Sequence, residues 1–265
     1  MKSKSMIAWL LLALCAAAGA QSAPAQAPET AGAKKARAIL DRMIRTMGGK
    51  AFLTYTDMTQ QGRTAGFYHG NPSGSSVPYW LFWKWPDMQR VESSKQRDII
   101  YINNGDKGYE ITYKGTRAED PEELEKYLRS YQYSLPVVLR RWLKQPGTML
   151  FYDGTGIADQ KQVDRITILN SQNQSVTLSI DTFTHLLVRK SYRWREPDTR
   201  YFDQEEEIYG NYHPVQGIQT PRSVVRLHNG DVSNQRFVDS TVYNTGIPDS
   251  MFQATVTYDP MHKKK

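Results

Sequence analysis

Tyr79-Trp80-Leu81-Phe82-Trp83-Lys84-Trp85 is the stretch on which the reading of the fold turns. It ends at Pro86-Asp87, a turn signal. In an extended chain, successive side chains point to opposite faces. Tyr79, Leu81, Trp83 and Trp85 then share one face, and Trp80 and Phe82 share the other. Both faces are apolar. A strand in a sheet wetted on one side needs only one apolar face. Something must cover the second, either a helix of the same chain or an apolar ligand. Large apolar pockets with few polar groups are how proteins hold lipid tails. The stretch by itself leaves open which face would line such a pocket.

Strand texture extends to both sides. Further candidate runs are 54–63, 65–69, 88–94, 98–103 and 108–114, punctuated by Gly70-Asn71-Pro72 and Asn103-Asn104-Gly105-Asp106. From 148 onward, strands return. Val176, Leu178 and Ile180 alternate with Ser175, Thr177 and Ser179, and Val188, Tyr192 and Trp194 alternate with Arg189, Ser191 and Arg193. Strict alternation means one wet face and one covered face, hence an antiparallel sheet. A turn at Glu196-Pro197-Asp198-Thr199 would join 186–195 to 201–209. Pairing Arg193 with Asp203 then sets Arg189 against Glu207, Lys190 against Glu206, Val188 against Ile208 and Trp194 against Phe202. The acidic run Glu205-Glu206-Glu207 neutralises the basic strand beside it.

Two helical blocks interrupt the strands. Ala36, Ile39, Leu40, Met43, Ile44 and Met47 form one apolar stripe, stopped by Gly48-Gly49. Asp120 reads as the cap of a second block over 121–144, with Pro121 at its first position and Glu123 completing a capping box. Leu124, Tyr127, Leu128 and Tyr131 are its stripe, and Pro136 breaks it. There is no repeat and no second composition boundary. The expectation is a flexible lead-in over 21–33, one domain over 34–258 and a basic tail over 259–265.

The chain has 265 residues, 30 of them Phe, Trp or Tyr. That aromatic density supplies a core, and the composition excludes collagen, coiled coil and a Cys-rich scaffold. Lys2 and Lys4, the apolar run Met6–Cys15 and Ala18-Gly19-Ala20 have the pattern of a cleaved export signal over 1–20. Leu14 precedes Cys15, which argues against lipidation there. Cleavage removes the single cysteine, and with it any disulfide or Cys metal site. The remaining charge is mildly basic and partly terminal (Lys263-Lys264-Lys265), a weak footing for nucleic acid.

Motifs of catalysis are missing. The five histidines, His69, His185, His213, His228 and His262, show no helical metal spacing, and no G-x-S-x-G or phosphate loop is present. His213 follows Glu205–Glu207 closely, yet in a strand leading to a turn. No metal and no cofactor is expected.

The order of features resembles a known family. Lys84-Trp85-Pro86-Asp87-Met88-Gln89-Arg90-Val91-Glu92 is similar to its basic-x-Pro-x-x-x-Arg-apolar-Glu stretch, and Asn104-Gly105-Asp106-Lys107-Gly108-Tyr109 to its D-G-K-x-aromatic hairpin. Gly217-Ile218-Gln219-Thr220-Pro221 and Asn244-Thr245-Gly246-Ile247-Pro248-Asp249-Ser250-Met251-Phe252 resemble its later elements. Together, over 34 to 253, these resemble the LolA/LolB-like superfamily of periplasmic lipoprotein-sorting and lipid-binding proteins. The resemblance implies a mainly β (α+β) fold: an unclosed antiparallel barrel, or highly curved sheet, with an N-terminal helix and a helical lid insertion. It implies a periplasmic, monomeric carrier of the acyl chains of lipids or lipoproteins, serving the outer membrane and exchanging with membrane-embedded donor or acceptor proteins. Trp80, Phe82, Trp83, Trp85, Tyr101, Tyr109 and Trp142 are the candidates for its apolar lining, and Lys84 and Arg90 for head-group or lid contacts. Release would open the lid at 120–144 around Pro136. The proteobacterial carriers place an Arg before the Pro of the first motif, where it bonds the lid; here Trp85 stands there. Two rival readings are an envelope sensor or interaction module with a peptide or protein ligand, and a hydrolase using a carboxylate or His such as Glu206 or His213.

Overall fold

The computed structural model describes residues 30–196 and 199–260. The expected export signal over 1–20, the turn residues Pro197-Asp198 and the lysines ending the chain lie outside them.

Helix α1 (Ala31–Met47) opens the described chain, starting inside the segment expected as lead-in. The Thr30 hydroxyl accepts from the Ala33 amide at 3.1 Å and caps it. Gly48 and Gly49 end it with positive φ, and their amides donate back to the Arg45 and Ile44 carbonyls. That is the Schellman pattern, and it needs glycine. Helix α2 (Lys50–Thr54) follows at once, and its last residue, Thr54, falls where the first strand was expected to begin. Strand β1 (Asp57–Tyr68) then runs unbroken where two short strands were expected, and β2 (Asn71–Pro72) folds back on its end.

Two meanders flank β1. On one side lie β3 (Val77–Lys84), β4 (Met88–Ser93), β5 (Ile99–Asn104), β6 (Lys107–Thr112) and β7 (Gly115–Ala118). On the other lie β8 (Met149–Ala158), β9 (Lys161–Leu169), β10 (Ser175–Asp181), β11 (Leu187–Arg195), β12 (Phe202–Val215), β13 (Ile218–His228) and β14 (Asp231–Tyr243). Strand β1 pairs with β3 and with β14, so one antiparallel sheet of 14 strands results, with β7 and β8 at its unjoined ends. The expected unclosed antiparallel architecture is therefore present. Bulges at Gln61/Gly62, Tyr152/Gly154, Ser179/Ile180 and Arg226/Leu227 add twist and bend. Gly62 is required at the first, because a β-carbon there would stand 2.1 Å from the Phe237 carbonyl oxygen.

The chain must travel from one free edge of the sheet to the other between β7 and β8. It does so as α3 (Pro121–Gln132), α4 (Leu135–Arg140) and a 3-10 turn (Trp142–Lys144). The Asp120 carboxylate accepts from the Glu122 amide at 3.0 Å, as a cap should. Glu123 does not close a capping box; it pairs with Lys126. The break falls at Tyr133-Ser134, and Pro136 sits in the first turn of α4, where a missing amide costs nothing.

Ala36, Leu40, Met43 and Met47 of α1 join Val137, Val138 and Leu139 of α4 over Ile166, Ile168, Val176 and Leu178. These helices cover the part of the sheet's concave face built mainly by β8 to β11. A strap after β14 covers the opposite face near β3–β6, with Ile247 and Phe252 packed on Ile102 and Phe82. Asp57 holds its start by accepting from the Thr245 and Gly246 amides at 2.7 and 3.2 Å. Its end covers the edge of β7, where the Thr257 and Tyr258 amides donate to the Thr116 carbonyl.

The β11–β12 register differs by one residue from the expected pairing. Lys190 stands across from Glu207, Arg193 from Gln204 and Trp194 from Asp203. The connection is one residue longer because Arg200 adopts φ 62° and stays in the turn, with Glu196 and Tyr201 closing it. The gain is an ion pair directly across the ladder between Lys190 and Glu207, at 2.9 Å.

Candidate functional site: a lidded concave cavity

The part of the concave face that α1 and α4 leave uncovered lines an open-sided cavity of about 1440 Å³. Tyr192, Tyr209 and Val224 belong both to the core and to the cavity wall, so the helices and the cavity share one face. Alternation along β3 decides what else faces it. Tyr79, Leu81 and Trp83 line the cavity, and Trp80 and Phe82 face away. At one end, Tyr55, Trp83 and Tyr243 form an aromatic cluster, with Tyr55 centred 5.3 Å from Trp83 and 4.9 Å from Tyr243.

Helix α3 lies across the opening. Tyr127, Ser130 and Tyr131 face the cavity, and α3 has no fully buried residue. Its attachments are few. The Tyr131 hydroxyl donates to the Pro86 carbonyl on one side. On the other, the Arg129 guanidinium lies 4.4 Å over the Trp194 ring, and Gln132 bonds Gln174 at 3.2 Å. Tyr133, just after the helix, stacks on Tyr192 at 4.1 Å. The Tyr127 hydroxyl and Ser134 Oγ are buried without a partner.

Helix α4 is fastened far more firmly. Arg140 donates to the Tyr55 and Phe52 carbonyls at 2.8 and 3.2 Å, which are the free carbonyls at the end of α2. Its guanidinium lies over Tyr55 at 4.2 Å, Trp85 at 5.0 Å and Trp83 at 5.8 Å. Arg141 lies 5.0 Å over Trp85 as well. At this corner the aromatic ring of Trp85 is on the sheet side and the arginines are on the insertion.

The other end of the cavity is charged. Glu207 accepts from Lys190 at 2.9 Å, Arg226 at 3.0 Å and the Tyr209 hydroxyl at 2.5 Å. Burial opposes ionisation of Glu207, but Lys190, Arg226 and Arg236 outweigh it and hold the carboxyl well below the usual range. Burial pushes the neighbouring Glu205 up, against Arg226 and against His228, which bonds it at 3.1 Å.

Of the residues singled out from sequence, Trp83 and Tyr101 line the cavity. Phe82 and Tyr109 pack under the strap with Ile102, and Trp80 lies on the same outer face with Arg97 stacked over it at 4.8 Å. Trp142 is buried in the helix core against Tyr133. Trp85 continues the inward face of β3, but the two arginines cover it, and it stands behind the wall. Lys84 donates to the Ile247 carbonyl at 2.7 Å and pairs with Asp249 at 2.5 Å, while Arg90 donates to the Met251 carbonyl at 3.3 Å. Both pin the strap on the face away from the cavity. Tyr79, Leu81, Tyr243, Arg140 and Arg236 had not been singled out; for the first two, the alternation already quoted was the available signal. Glu206 is paired with Arg189 at 3.2 Å, and His213 is exposed toward the far end of β12. Among the described residues, no three His, Cys, Asp or Glu side chains converge on a metal position, and no helix is long and apolar enough to cross a membrane.

No family model matches this sequence, and no curated protein matches it. Solved structures do. A DUF1329 family protein from Desulfovibrio piger is 12% identical, over 84% of this chain and 98% of its own, with a TM-score of 0.57. A putative outer membrane lipoprotein-sorting protein domain from Vibrio parahaemolyticus is 9% identical, over 83% and 97%, with a TM-score of 0.55. A LolA superfamily protein from Nitrosomonas europaea is 12% identical, over 83% and 97%, with a TM-score of 0.50. The chain has the LolA-like fold.

Proposed function

We propose that this protein is a periplasmic carrier that shields the acyl chains of lipids or lipoproteins in the concave cavity, with α3 as its lid. The observation that carries this reading is a cavity of about 1440 Å³ walled by Tyr79, Leu81, Trp83 and Tyr243 beneath a helix that buries none of its residues fully. Burying acyl chains yields about 0.8 kcal/mol per methylene, ample affinity without any reactive group. A lid with few anchors can open for loading and release around Tyr133-Ser134. The similarity to a structure described as a lipoprotein-sorting domain supports the same reading. Mass spectrometry of an organic extract from gently purified protein tests it. Acyl lipids co-purifying in near-stoichiometric amount are expected. A lipid-free extract, together with failure to bind added fatty acid, would overturn the proposal.

A further inference from the structure

The helical layer over β8 to β11 is built from two segments of the chain, and its charge is one-sided. Residues 31–54, which form α1 and α2, contain Lys34, Lys35, Arg37, Arg42, Arg45 and Lys50 against the single carboxylate of Asp41. Residues 133–148, which form α4 and the 3-10 turn, add Arg140, Arg141 and Lys144 and no carboxylate. Leu40 and Met43 point into the core, so Lys34, Arg42 and Arg45 stand on the outward face of α1. They are exposed there, as are Lys35, Lys50 and Lys144. Among the described residues, none of these six forms an ion pair. The strands beneath supply no outward balance. Asp164 on β9 accepts from the Tyr152 and Thr155 hydroxyls at 2.9 and 3.1 Å, below the start of α1, where Lys35 lies 3.8 Å over the Tyr152 ring. Asp153 on β8 accepts from Thr167, whose neighbours Ile166 and Ile168 point into the core, so it faces the other side of the sheet. No carboxylate occurs from 165 to 180.

The layer offers neither a groove nor an apolar anchor. The hollow between α2 and α4 measures about 10 Å³. No large apolar side chain of 31–54 or 133–148 is exposed. A protein partner binds through such anchors, and a nucleic acid strand needs exposed rings to stack on. An anionic bilayer surface needs neither, because its field acts on each Lys or Arg brought near it. We infer that this cationic layer docks the protein on an anionic bilayer surface. The start of α3 orients it. Glu119, Asp120, Glu122 and Glu123 lie about one helix length, roughly 18 Å, from α4, and the same surface repels them. The α4 side of the cavity mouth, where Leu135 and Pro136 stand, therefore faces the membrane. This docking goes beyond the carrier proposal and holds whatever the cavity carries.

Co-sedimentation of the purified protein with vesicles tests it. At low salt, phosphatidylcholine vesicles containing about one third phosphatidylglycerol should bind the protein at least roughly tenfold tighter than phosphatidylcholine alone, and high salt should remove the difference. The triple variant Lys34→Gln, Arg42→Gln, Arg45→Gln should weaken binding to the anionic vesicles roughly ten- to a hundredfold. The triple variant Lys95→Gln, Lys107→Gln, Lys114→Gln, on the other meander, removes the same net charge and should change binding less than about twofold. Neutralising Lys263, Lys264 and Lys265 in the same way should also have little effect. Thermal unfolding of each variant checks that the fold persists. Equal binding of the unaltered protein to both kinds of vesicle would overturn the docking surface. Equal losses in the first two triple variants would overturn it in favour of net charge alone. Loss of binding on neutralising the three terminal lysines would move the contact to the tail and overturn it as well. Each of these outcomes leaves the carrier proposal standing, since none measures cargo in the cavity.

Discussion

Lys190 is tolerated with 3% of its side chain exposed because Glu207 stands 2.9 Å away on the adjacent strand. Glu207→Gln removes the one carboxylate that Lys190 and Arg226 share, leaving a buried ammonium uncompensated, and should cost about 3 kcal/mol in denaturant unfolding. The pH dependence follows from the depressed carboxyl. Stabilisation by an ionised Glu207 is complete above the unfolded carboxyl range, near pH 4, and is lost as pH falls through the lower folded value. The gap between the parent protein and Glu207→Gln should therefore be constant at neutral pH and close progressively below about pH 4. Arg140 is the other decisive side chain. Arg140→Met forfeits two hydrogen bonds to the end of α2 and the stacking on three rings, and unfolding measurements should show a loss of about 2 kcal/mol. Neither Arg140 nor Arg236 was legible in the sequence. An arginine on a helix or in a strand reads as solvated until the topology brings aromatic rings or other cations to it. Lys84 and Arg90 erred in the opposite direction. Their place in a recognisable motif suggests head-group or lid contacts, whereas the carbonyls they serve belong to a strap more than 150 residues away in sequence.

The helices divide the work unequally. Helix α1 is a fixture, with Leu40 and Met43 wholly buried, and Leu40→Ala should cost 2 to 5 kcal/mol, read from the unfolding midpoint at unchanged denaturant slope. Helix α3 is held by a few contacts. Tyr131→Phe deletes its bond to the Pro86 carbonyl, worth about 1 kcal/mol, and should speed release of a bound fluorescent fatty acid roughly fivefold while global stability changes little. Stopped-flow displacement against an excess of unlabelled fatty acid measures this. Helix α1 was legible from its stripe and its Gly-Gly stop, and the insertion from Asp120-Pro121. The β11–β12 register was not, because it hangs on whether Arg200 adopts a left-handed φ and joins the turn. Charge complementarity alone tolerates both pairings, since acidic residues stand at 205, 206 and 207.

At the scale of the molecule, two meanders meet on β1, and the insertion has to bridge the free edges of a curved sheet. That route carries a helix over the concave face, and α1 and α4 fill only part of it. Antiparallel pairing was readable from alternation, but the joining of β1 to β14 was not. It unites segments at opposite ends of the chain, and nothing local in either signals the other. The two-sided greasiness of 79–85 was a sound signal with two separate causes. Its outer side meets the protein's own strap, and its inner side meets the cavity. A photoreactive fatty acid bearing a diazirine on its chain, cross-linked to the protein and mapped by peptide mass spectrometry, tests which side receives cargo. Labels on Tyr79, Leu81, Trp83 or Tyr101 are the expected result. Labels confined to Trp80, Phe82 and Tyr109 on the strap side, or no labelling at saturating fatty acid, would contradict a carrier that works through its concave face.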